Sequence, residues 1–250
     1  MDLENKTAIV TGAASGIGRA VALAYAHEGA NVIVSDIAEE GGRETVRLIE
    51  RATPRAGSVF VRADASRPDD HEALVTAAVE QFGALHIACN NAGIGGELNP
   101  VGELSVEGWR KVIEINLSGV YYAMRVQIPR LIEAGGGAIV NMASILGQVG
   151  TRGAAAYVAA KHGVVGLTQS AALEYAEQRV RVNAVGPGYI DTPLLKSLPS
   201  GTLERLVGLH PIGRLGRSEE VAELVVWLSS GRASFVTGAY YPVDGGYLAQ

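Results

Sequence analysis

The chain has almost no reactive sulfur, since Cys89 is the only cysteine in its 250 residues. A single cysteine excludes an intrachain disulfide. Cys89 lies in a short, mainly apolar segment, where a buried and inert thiol is favoured over a nucleophile. The five histidines lack the spacing of a metal-binding motif, so the sequence predicts no metal site.

Long apolar runs and basic clusters are also missing. No run approaches the roughly 20 apolar residues that span a bilayer, and the first residues lack the basic and apolar regions of a secretory signal. The net charge is −5 and the 21 lysines and arginines are scattered, whereas nucleic-acid-binding proteins usually present a basic face. We therefore expect a cytoplasmic protein that binds neither membranes nor nucleic acid.

Short apolar segments alternate with longer segments of helical pattern. Some of the short segments, such as 8–10 and 138–140, are continuously apolar, which is typical of strands covered on both faces. This alternation predicts a parallel sheet between two layers of helices. The predicted strands are 7–11, 31–35, 58–63, 86–90, 138–142, 179–185 and 235–242, and the predicted helices are 16–29, 38–52, 68–82, 105–134, 153–177 and 218–230.

No Pro-, Ser- or Gly-rich linker and no charged block divides the sequence. We therefore predict a single doubly wound α/β domain over residues 1–250, with a seven-stranded parallel sheet. Residues 187–212 are rich in Gly, Pro and Leu and show no clear period. Because loops of that length are commonly lids or binding loops, we predict that 187–212 is a substrate loop.

A glycine-rich turn at 11–18 joins the first predicted strand to the first predicted helix. Glycines permit a tight turn and close approach of a pyrophosphate, and the start of a helix presents unpaired N–H groups and a positive dipole end. Such a turn also occurs in ordinary strand–helix connections, so its position gives it weight. Asp36 closes the second predicted strand 18 residues after Gly18, where a carboxylate binds adenosine ribose hydroxyls.

The same carboxylate predicts which dinucleotide binds. Asp36 would repel a 2′-phosphate, and the neighbouring Ile37 offers no positive charge to attract one. The sequence therefore predicts NAD rather than NADP.

Tyr157 and Lys161 are four residues apart in a predicted helix, so their Cβ atoms lie roughly 5–6 Å apart on one face. A positive charge at that distance, at an effective dielectric near 20, stabilises a phenolate by roughly 3 kcal/mol. Lys161 would then bring the Tyr157 pKa from near 10 toward neutrality, where acid–base catalysis is effective. The alternative is a buried tyrosine beside a lysine that extends its ammonium to solvent.

Two further polar residues stand out. Ser144 follows the predicted strand 138–142, at the carboxyl edge where ligands of open α/β sheets bind. Asn116 lies within the predicted helix 105–134, although an amide is not a good helix former. A solvent-facing asparagine is the alternative interpretation.

Over essentially its whole length the sequence resembles the short-chain dehydrogenase/reductase family. The turn at 11–18 has the family's Thr-Gly-x-x-x-Gly-x-Gly form, residues 90–93 match its Asn-Asn-Ala-Gly segment, and residues 187–188 match its Pro-Gly after the sixth strand. The resemblance implies a Rossmann fold and the interconversion of an alcohol and a ketone by hydride transfer. The residues that fall on the family's catalytic tetrad are Asn116, Ser144, Tyr157 and Lys161.

The resemblance also implies a role for each member of the tetrad. Tyr157 would be the general base in alcohol oxidation and the general acid in ketone reduction. Lys161 would lower the Tyr157 pKa and bind the nicotinamide ribose. Ser144 would hold the reacting oxygen as negative charge develops on it, and Asn116 would position a water that relays protons from Lys161 to solvent.

Contacts to the cofactor are implied at further positions. Asp64 and Ala65 would lie at the adenine, Asn91 and Gly93 at the ribose and nicotinamide, and residues 187–192 at the carboxamide. Thr192 also fits the alternative role of capping a helix that begins at the next residue. The predicted cofactor-binding residues are Gly12, Ser15, Gly16, Ile17, Gly18, Asp36, Ile37, Asp64, Ala65, Asn91, Gly93, Tyr157, Lys161, Pro187, Gly188, Ile190 and Thr192.

The residues expected around the tetrad are mostly apolar, so we expect a neutral, largely apolar secondary alcohol or ketone as substrate, with ring compounds among the candidates. The leucines of the substrate loop would alternatively only pack that loop against the domain. The predicted substrate-binding residues are Ser144, Ile145, Leu146, Val149, Tyr157, Tyr189 and Leu195.

Two other functions compete with an NAD-dependent dehydrogenase. An NADPH-dependent reductase of carrier-bound 3-oxoacyl compounds is disfavoured by Asp36 and by the acidic net charge. A non-catalytic nucleotide sensor on the same fold would not need the tetrad. Ten of the residues 153–172 are Gly or Ala, which permits close helix packing against the sheet or a second subunit. With the family's habit of forming tetramers we expect a homotetramer, although the sequence does not exclude a dimer.

Overall fold

The computed structural model describes residues 1–196 and 201–250. Within these ranges seven parallel strands form one sheet with the order β3-β2-β1-β4-β5-β6-β7, which confirms the predicted doubly wound α/β fold. The strands are β1 (Thr7–Thr11), β2 (Asn31–Asp36), β3 (Ser58–Arg62), β4 (Ile87–Asn90), β5 (Gly137–Met142), β6 (Val180–Pro187) and β7 (Tyr240–Val243). The helices are α1 (Gly16–His27), α2 (Glu39–Ala52), α3 (Pro68–Phe82), α4 (Val106–Ile113), α5 (Gly119–Glu133), α6 (Ala155–Tyr175), α7 (Pro193–Lys196), α8 (Thr202–Gly208) and α9 (Ser218–Ser229).

The sheet is covered on both faces, as its continuously apolar strands predicted. All five residues of β1 are buried, and successive side chains of a strand point to opposite faces. Val10 accordingly packs in a core with residues of α1 and α9. Its neighbour Ile9 packs in a second core with residues of α3, α5 and α6. Cys89 is fully buried, and burial raises its pKa to about 12, as expected for an inert thiol.

The order of the strands reverses at β1, which pairs with β2 on one side and with β4 on the other. Ligands of open α/β sheets bind beyond the carboxyl ends of the strands at this reversal. The glycine-rich turn follows β1 and the Asn-Asn-Ala-Gly segment begins at the end of β4, so the fold brings these two motifs together.

The last predicted strand and the predicted loop are wrong in part. The last strand covers Tyr240–Val243 and not 235–242, because residues 233–236 form a turn in which the N–H of Val236 donates to the Ala233 carbonyl at 2.9 Å. The predicted loop 187–212 contains the helices α7 and α8. Residues 197–200 of that loop lie outside the described residues.

The predicted helix 105–134 is interrupted. Between α4 and α5 the residues Glu114–Ser118 form a π-helical turn, which contains Asn116. Such turns arise as local widenings of α-helices and are frequent at functional sites. A π-helical turn contains about one residue more than an α-helical turn. The periodicity of the sequence does not reveal it, because the apolar pattern continues on both sides.

A buried network of amides connects the sheet to the helices behind the site. Asn90 Nδ2 donates to Gln127 Oε1 at 3.1 Å and to Asn141 Oδ1 at 2.9 Å, and Gln127 Nε2 donates back to Asn90 Oδ1 at 2.9 Å. Asn141 Nδ2 donates to Thr168 Oγ1 at 2.9 Å. These bonds link β4, β5, α5 and α6, and they fix the helices against the strands because an unpaired buried amide is costly.

Among residues 1–196 and 201–250, no helix combines the length and apolarity needed to cross a bilayer. In the same ranges, no three His, Cys, Asp or Glu side chains gather in a way that suits a metal ion.

Candidate active site

The glycine-rich turn admits no larger residues at its critical positions. Gly12 has a φ of +66°, which L-residues rarely adopt. A Cβ at Gly18 would lie 2.2 Å from the Gly12 carbonyl oxygen, so a side chain there would force the turn apart. Asn91 Nδ2 donates to the carbonyls of Thr11 at 2.9 Å and Gly12 at 3.2 Å. The Asn91 side chain therefore holds the turn in shape. The sequence predicted this residue at the ribose and nicotinamide of the cofactor.

The first turn of α1 suits a negatively charged ligand. The Ser15 side chain makes no capping hydrogen bond, and the first turn contains no acidic residue. The positive end of the helix dipole is therefore not offset locally, and the pyrophosphate of a dinucleotide fits there. The Thr192 methyl group lies 3.2 Å from the point that a Cβ on Gly16 would occupy. The segment after β6 thus meets the turn after β1, and both contain predicted cofactor-binding residues.

Asp36 is oriented by the main chain around it. Its Oδ2 accepts from the N–H of Ala14 and its Oδ1 from the N–H of Ala38, both at 2.9 Å. Each oxygen keeps a further lone pair for a ribose hydroxyl. Ile37 is 59% exposed, so the surface beside the carboxylate is apolar.

Sequence reasoning overlooked the cation nearest to this turn. Arg19 donates to the carbonyls of Ala14 and Gly41, and its Nε donates to Thr45 Oγ1 at 3.0 Å. The guanidinium is thus occupied by protein acceptors that fix α2 against the turn.

The acidic residue after β3 is also held in place. Asp64 Oδ1 accepts from the Ser66 N–H at 2.9 Å and from the Ser66 hydroxyl at 2.7 Å, and these bonds lower the Asp64 pKa. Next to it, the Ala65 carbonyl lies 2.9 Å from Nε2 of the buried His71. Both predicted adenine-contacting residues therefore stand on a rigid segment.

Asn116 is completely buried, so the solvent-facing alternative is wrong. Its Oδ1 accepts from the N–H of Ile94 at 2.8 Å, and its Nδ2 donates to the Ile94 carbonyl at 2.7 Å. This paired bond connects the π-helical turn to the segment after β4. A Cβ on Gly93 would lie 2.8 Å from Asn116 Oδ1 and 3.7 Å from Lys161 Nζ. Gly93 therefore marks the point at which three parts of the predicted site meet.

Lys161 is buried, so the alternative of an ammonium extended to solvent is wrong as well. Its side chain is 3% exposed, its Nζ donates to the Met142 carbonyl at 2.7 Å, and Nζ lies 5.5 Å from the centre of the Tyr157 ring. Burial lowers the Lys161 pKa from 10.5 to about 8. An ammonium is thus held at the carboxyl end of β5, beside the phenol, as the helical spacing predicted.

The expected lowering of the Tyr157 pKa is not found in the chain by itself. Burial raises that pKa above 10, and a hydrogen bond with Ser144 lowers it by less. The attraction of Lys161 for a phenolate lowers the Tyr157 pKa, but desolvation of the phenolate in the same place raises it. In the free chain, Tyr157 is consequently a protonated phenol.

Ser144 is fixed on both sides. Its Oγ accepts from the Leu146 N–H at 3.1 Å, and its carbonyl accepts from the Tyr240 hydroxyl at 2.9 Å. Sequence reasoning missed Tyr240. The sequence feature related to this contact is Gly186, because a glycine within a strand often marks the close approach of another group. In the structure, a Cβ at Gly186 would lie 1.9 Å from the Tyr240 hydroxyl oxygen.

The predicted substrate-binding residues differ in how accessible they are. Ile145 and Leu146 are buried, as is the cofactor-site residue Ile190, so these side chains mainly pack inside the domain. Val149 is exposed, and Tyr189 and Leu195 are half-buried. The side chains open to a ligand beside Ser144 and Tyr157 are therefore fewer than expected.

Replacement of Gly93 by alanine should destabilise the fold by about 1–3 kcal/mol, because the new Cβ forces the Asn116 amide away from Ile94. Gly95→Ala is the matched control, since a Cβ there has no heavy atom of residues 1–196 or 201–250 within 4 Å, and it should change the free energy of unfolding by less than about 0.5 kcal/mol. Urea unfolding measures both variants. Equal stability of the two variants would contradict the proposed contact.

Replacement of Lys161 by methionine should raise stability at pH 7 by about 1–2 kcal/mol. Burial of the ammonium costs about 3 kcal/mol, the equivalent of the pKa shift, and the lost bond to Met142 offsets part of the gain. Between pH 8 and 10.5 the unfolded chain binds the proton more tightly than the folded chain, so wild-type stability rises with pH in this window. The advantage of the variant should therefore shrink there.

Urea unfolding at pH 7 and pH 9.5 measures this difference for Lys161→Met. Lys111→Met is the control, because Lys111 is exposed on α4, and its effect should stay within about 0.5 kcal/mol. A pH-independent difference for Lys161→Met would show that its ammonium is not desolvated.

Comparison with known proteins identifies the family of the chain. Residues 12–248 match the sequence model of a family described as enoyl-(acyl carrier protein) reductase. The chain is 51% identical over 246 residues to the cyclohexanol dehydrogenase of Acinetobacter sp. strain SE19, covering 98% of this chain and 96% of that protein. It is 48% identical over 244 residues to the cis-4-hydroxycyclohexanecarboxylate dehydrogenase of Sinomonas cyclohexanicum, covering 98% and 97%.

A solved structure extends the likeness to the whole fold. The crystal structure of levodione reductase superimposes with a TM-score of 0.96 at 36% identity and covers 99% of both chains. The dinucleotide turn, the order of the strands and the four residues of the predicted tetrad thus occur together in one molecule. The chain belongs to the short-chain dehydrogenase/reductase family and is an oxidoreductase.

Proposed function

We propose that this oxidoreductase uses NAD and interconverts neutral secondary alcohols of six-membered carbocycles with their ketones. The observation that carries the proposal is Asp36, whose two oxygens are fixed by main-chain N–H groups at the edge of the dinucleotide turn. The printed names of the relatives, which refer to a cyclohexanol and to a hydroxycyclohexanecarboxylate, support a ring substrate.

The cofactor is bound by main-chain groups and one carboxylate. The start of α1 receives the pyrophosphate, Asp36 receives the adenosine ribose, and Asp64 with Ala65 lies at the adenine. The nicotinamide, when bound, supplies the hydride acceptor. Lys161 would turn toward its ribose while remaining within reach of Met142.

The chemistry on the substrate belongs to the tetrad. Ser144 Oγ and the Tyr157 hydroxyl bind the reacting oxygen, and Ser144 stabilises the negative charge on it. In oxidation, Tyr157 first releases its own proton through Lys161 to solvent; the substrate carbon then loses a hydride, and the substrate hydroxyl passes its proton to the resulting phenolate. In reduction, Tyr157, which is a protonated phenol in the free chain, gives its proton to the oxygen. Asn116, fixed to Ile94, positions the water that exchanges protons between Lys161 and solvent.

An acyl-carrier-protein reductase is the second function in view, because the matching family model carries such a description. That function calls for NADPH and for a basic surface that meets an acidic carrier. Asp36 and the net charge of −5 favour the ring alcohol instead.

We further propose a homotetramer. Large apolar side chains are exposed on the helices α4, α5 and α6 (Trp109, Tyr121 and Leu173) and in the segment before β7 (Phe235). Exposed apolar surface of this kind marks protein contacts, and two distinct contact surfaces are what a tetramer built from pairs of dimers needs.

Tyr157→Phe should lower the kcat for cyclohexanol oxidation with NAD by about 100- to 10,000-fold, because the variant loses the group that takes the proton. Its Kd for NADH, measured by fluorescence, should change less than about threefold. Tyr175→Phe on the same helix is the control and should retain activity. Turnover near the wild-type rate in Tyr157→Phe would contradict the proposed mechanism.

The same absorbance assay tests the substrate class. Wild-type enzyme should prefer cyclohexanol over cis-4-hydroxycyclohexanecarboxylate in kcat/KM by about tenfold or more, since burying an unpaired carboxylate among apolar side chains is costly. A preference for the carboxylate would refute the neutral substrate and leave the tetrad assignment intact.

The wild-type kcat/KM for NAD should exceed that for NADP by at least about 100-fold, because Asp36 repels the 2′-phosphate. Asp36→Ser should reduce this ratio by about tenfold or more. Asp69→Ser, at an exposed position of α3, should leave it unchanged. A wild-type preference for NADP would overturn the cofactor assignment.

A further inference from the structure

His210 lies just after α8, is 4% exposed and has both ring nitrogens bonded. Its Nδ1 lies 2.8 Å from the Leu206 carbonyl, and its Nε2 lies 3.2 Å from the main-chain nitrogen of Tyr189. A carbonyl only accepts and a main-chain N–H only donates. The two bonds together therefore require a neutral ring with the proton on Nδ1 and the acceptor on Nε2.

The Tyr189 N–H depends on this side chain for its partner. Around it, main-chain groups bond to main-chain groups: Gly188 N–H donates to Val243 O at 3.0 Å, Asp191 N–H to Gly216 O at 2.9 Å, and Gly216 N–H to Tyr189 O at 3.0 Å. At Tyr189 the acceptor is instead an imidazole from 21 residues further along the chain. Loss of that acceptor would leave a part-buried donor unpaired.

The imidazole also packs directly against the segment that follows β6. A Cβ on Gly188 would lie 2.8 Å from His210 Nε2. The rings of Tyr189 and His210 meet edge to face at 5.7 Å, and Tyr247 contacts both, at 6.1 Å and 5.7 Å between ring centres. Such contacts restrict the direction in which the Tyr189 ring points.

The segment that holds Tyr189 lies beside the catalytic groups. Strands β5 and β6 pair up to Met142 and Val185, and the Tyr240 hydroxyl that bonds the Ser144 carbonyl also lies against Gly186, so the residues that follow β6 are next to Ser144. Tyr189 is half-buried and thus accessible to a ligand there. His210 is remote from the tetrad in sequence, and no motif marks it.

We propose that His210 is a positioning residue for the substrate: it fixes the main chain and the ring of Tyr189 as a wall of the pocket beside Tyr157. The proposal rests on the proposed function, because the wall matters only for a substrate that reaches it. We expect a six-membered ring to reach that wall and a small alcohol such as 2-propanol to fall short of it. His210 therefore determines the affinity for ring substrates and leaves proton transfer unaffected.

His210→Gln and His210→Met form the test pair, because glutamine places an acceptor where Nε2 lies and methionine of similar length does not. Methionine should raise the KM for cyclohexanol about tenfold, with kcat and the KM for 2-propanol changing less than about twofold. Glutamine should restore most of the cyclohexanol KM. In protein labelled with ¹⁵N-tyrosine, exchange of the Tyr189 amide hydrogen should accelerate about tenfold in the methionine variant and less in the glutamine variant.

His162→Gln and His162→Met are the matched controls. Nδ1 of His162 also bonds the carbonyl four residues earlier, that of Val158 at 2.9 Å, but His162 is exposed on α6. Neither control should alter the KM for either alcohol. Should His210→Met fail to fold, His210→Asn replaces it, since asparagine keeps a donor near Leu206 and is too short to reach Tyr189.

Equal defects in the glutamine and methionine variants would overturn the proposal, as would equal KM increases for both alcohols or an unchanged Tyr189 exchange rate in the methionine variant. Failure of the wild-type enzyme to oxidise either alcohol would refute the proposed function instead. In that case the exchange rate of the Tyr189 amide still decides whether His210 holds the segment.

Discussion

The desolvated ammonium of Lys161 is the constraint around which the rest of the site is arranged. A charge of this kind is tolerated only with a good acceptor nearby, and here the Met142 carbonyl at the end of β5 provides it. The bond requires α6 to pack closely on the carboxyl edge of the sheet. That packing places Tyr157 one helical turn away, and Asn116 Oδ1, 2.8 Å from the point that a Cβ would occupy, leaves room only for glycine at position 93. The buried ammonium lowers the free energy of unfolding, and it places a positive charge beside the Tyr157 phenol.

The supporting structure is polar as well as apolar. The amides of Asn90, Gln127 and Asn141 connect the central strands to the helices behind the site, and the π-helical turn directs Asn116 toward Ile94. A fully paired buried network specifies one arrangement, because any slip of a helix leaves donors or acceptors unpaired. The catalytic groups are therefore held by hydrogen bonds whose geometry does not tolerate displacement.

The substrate side of the site is built differently. Ser144 is fixed by Tyr240 from β7, and Tyr189 by His210 from the segment after α8. These partners come from the last fifth of the chain, while the dinucleotide turn comes from its first residues. A region supported by separate side chains can be altered without disturbing the sheet, which is how one fold accommodates different substrates.

The amino-acid sequence by itself determined the features that depend on local order: the strands covered on both faces, the glycine turn, the carboxylate at the end of β2 and the shared helix face of Tyr157 and Lys161. Each follows from the period of an element or from the conformation of a few neighbouring residues. Only the tertiary structure decided the direction of the Tyr157 pKa, the π-helical turn at Asn116 and the contacts of Tyr240 and His210. Those depend on burial and on partners far apart in the chain, and close packing, not local spacing, decides which distant groups meet.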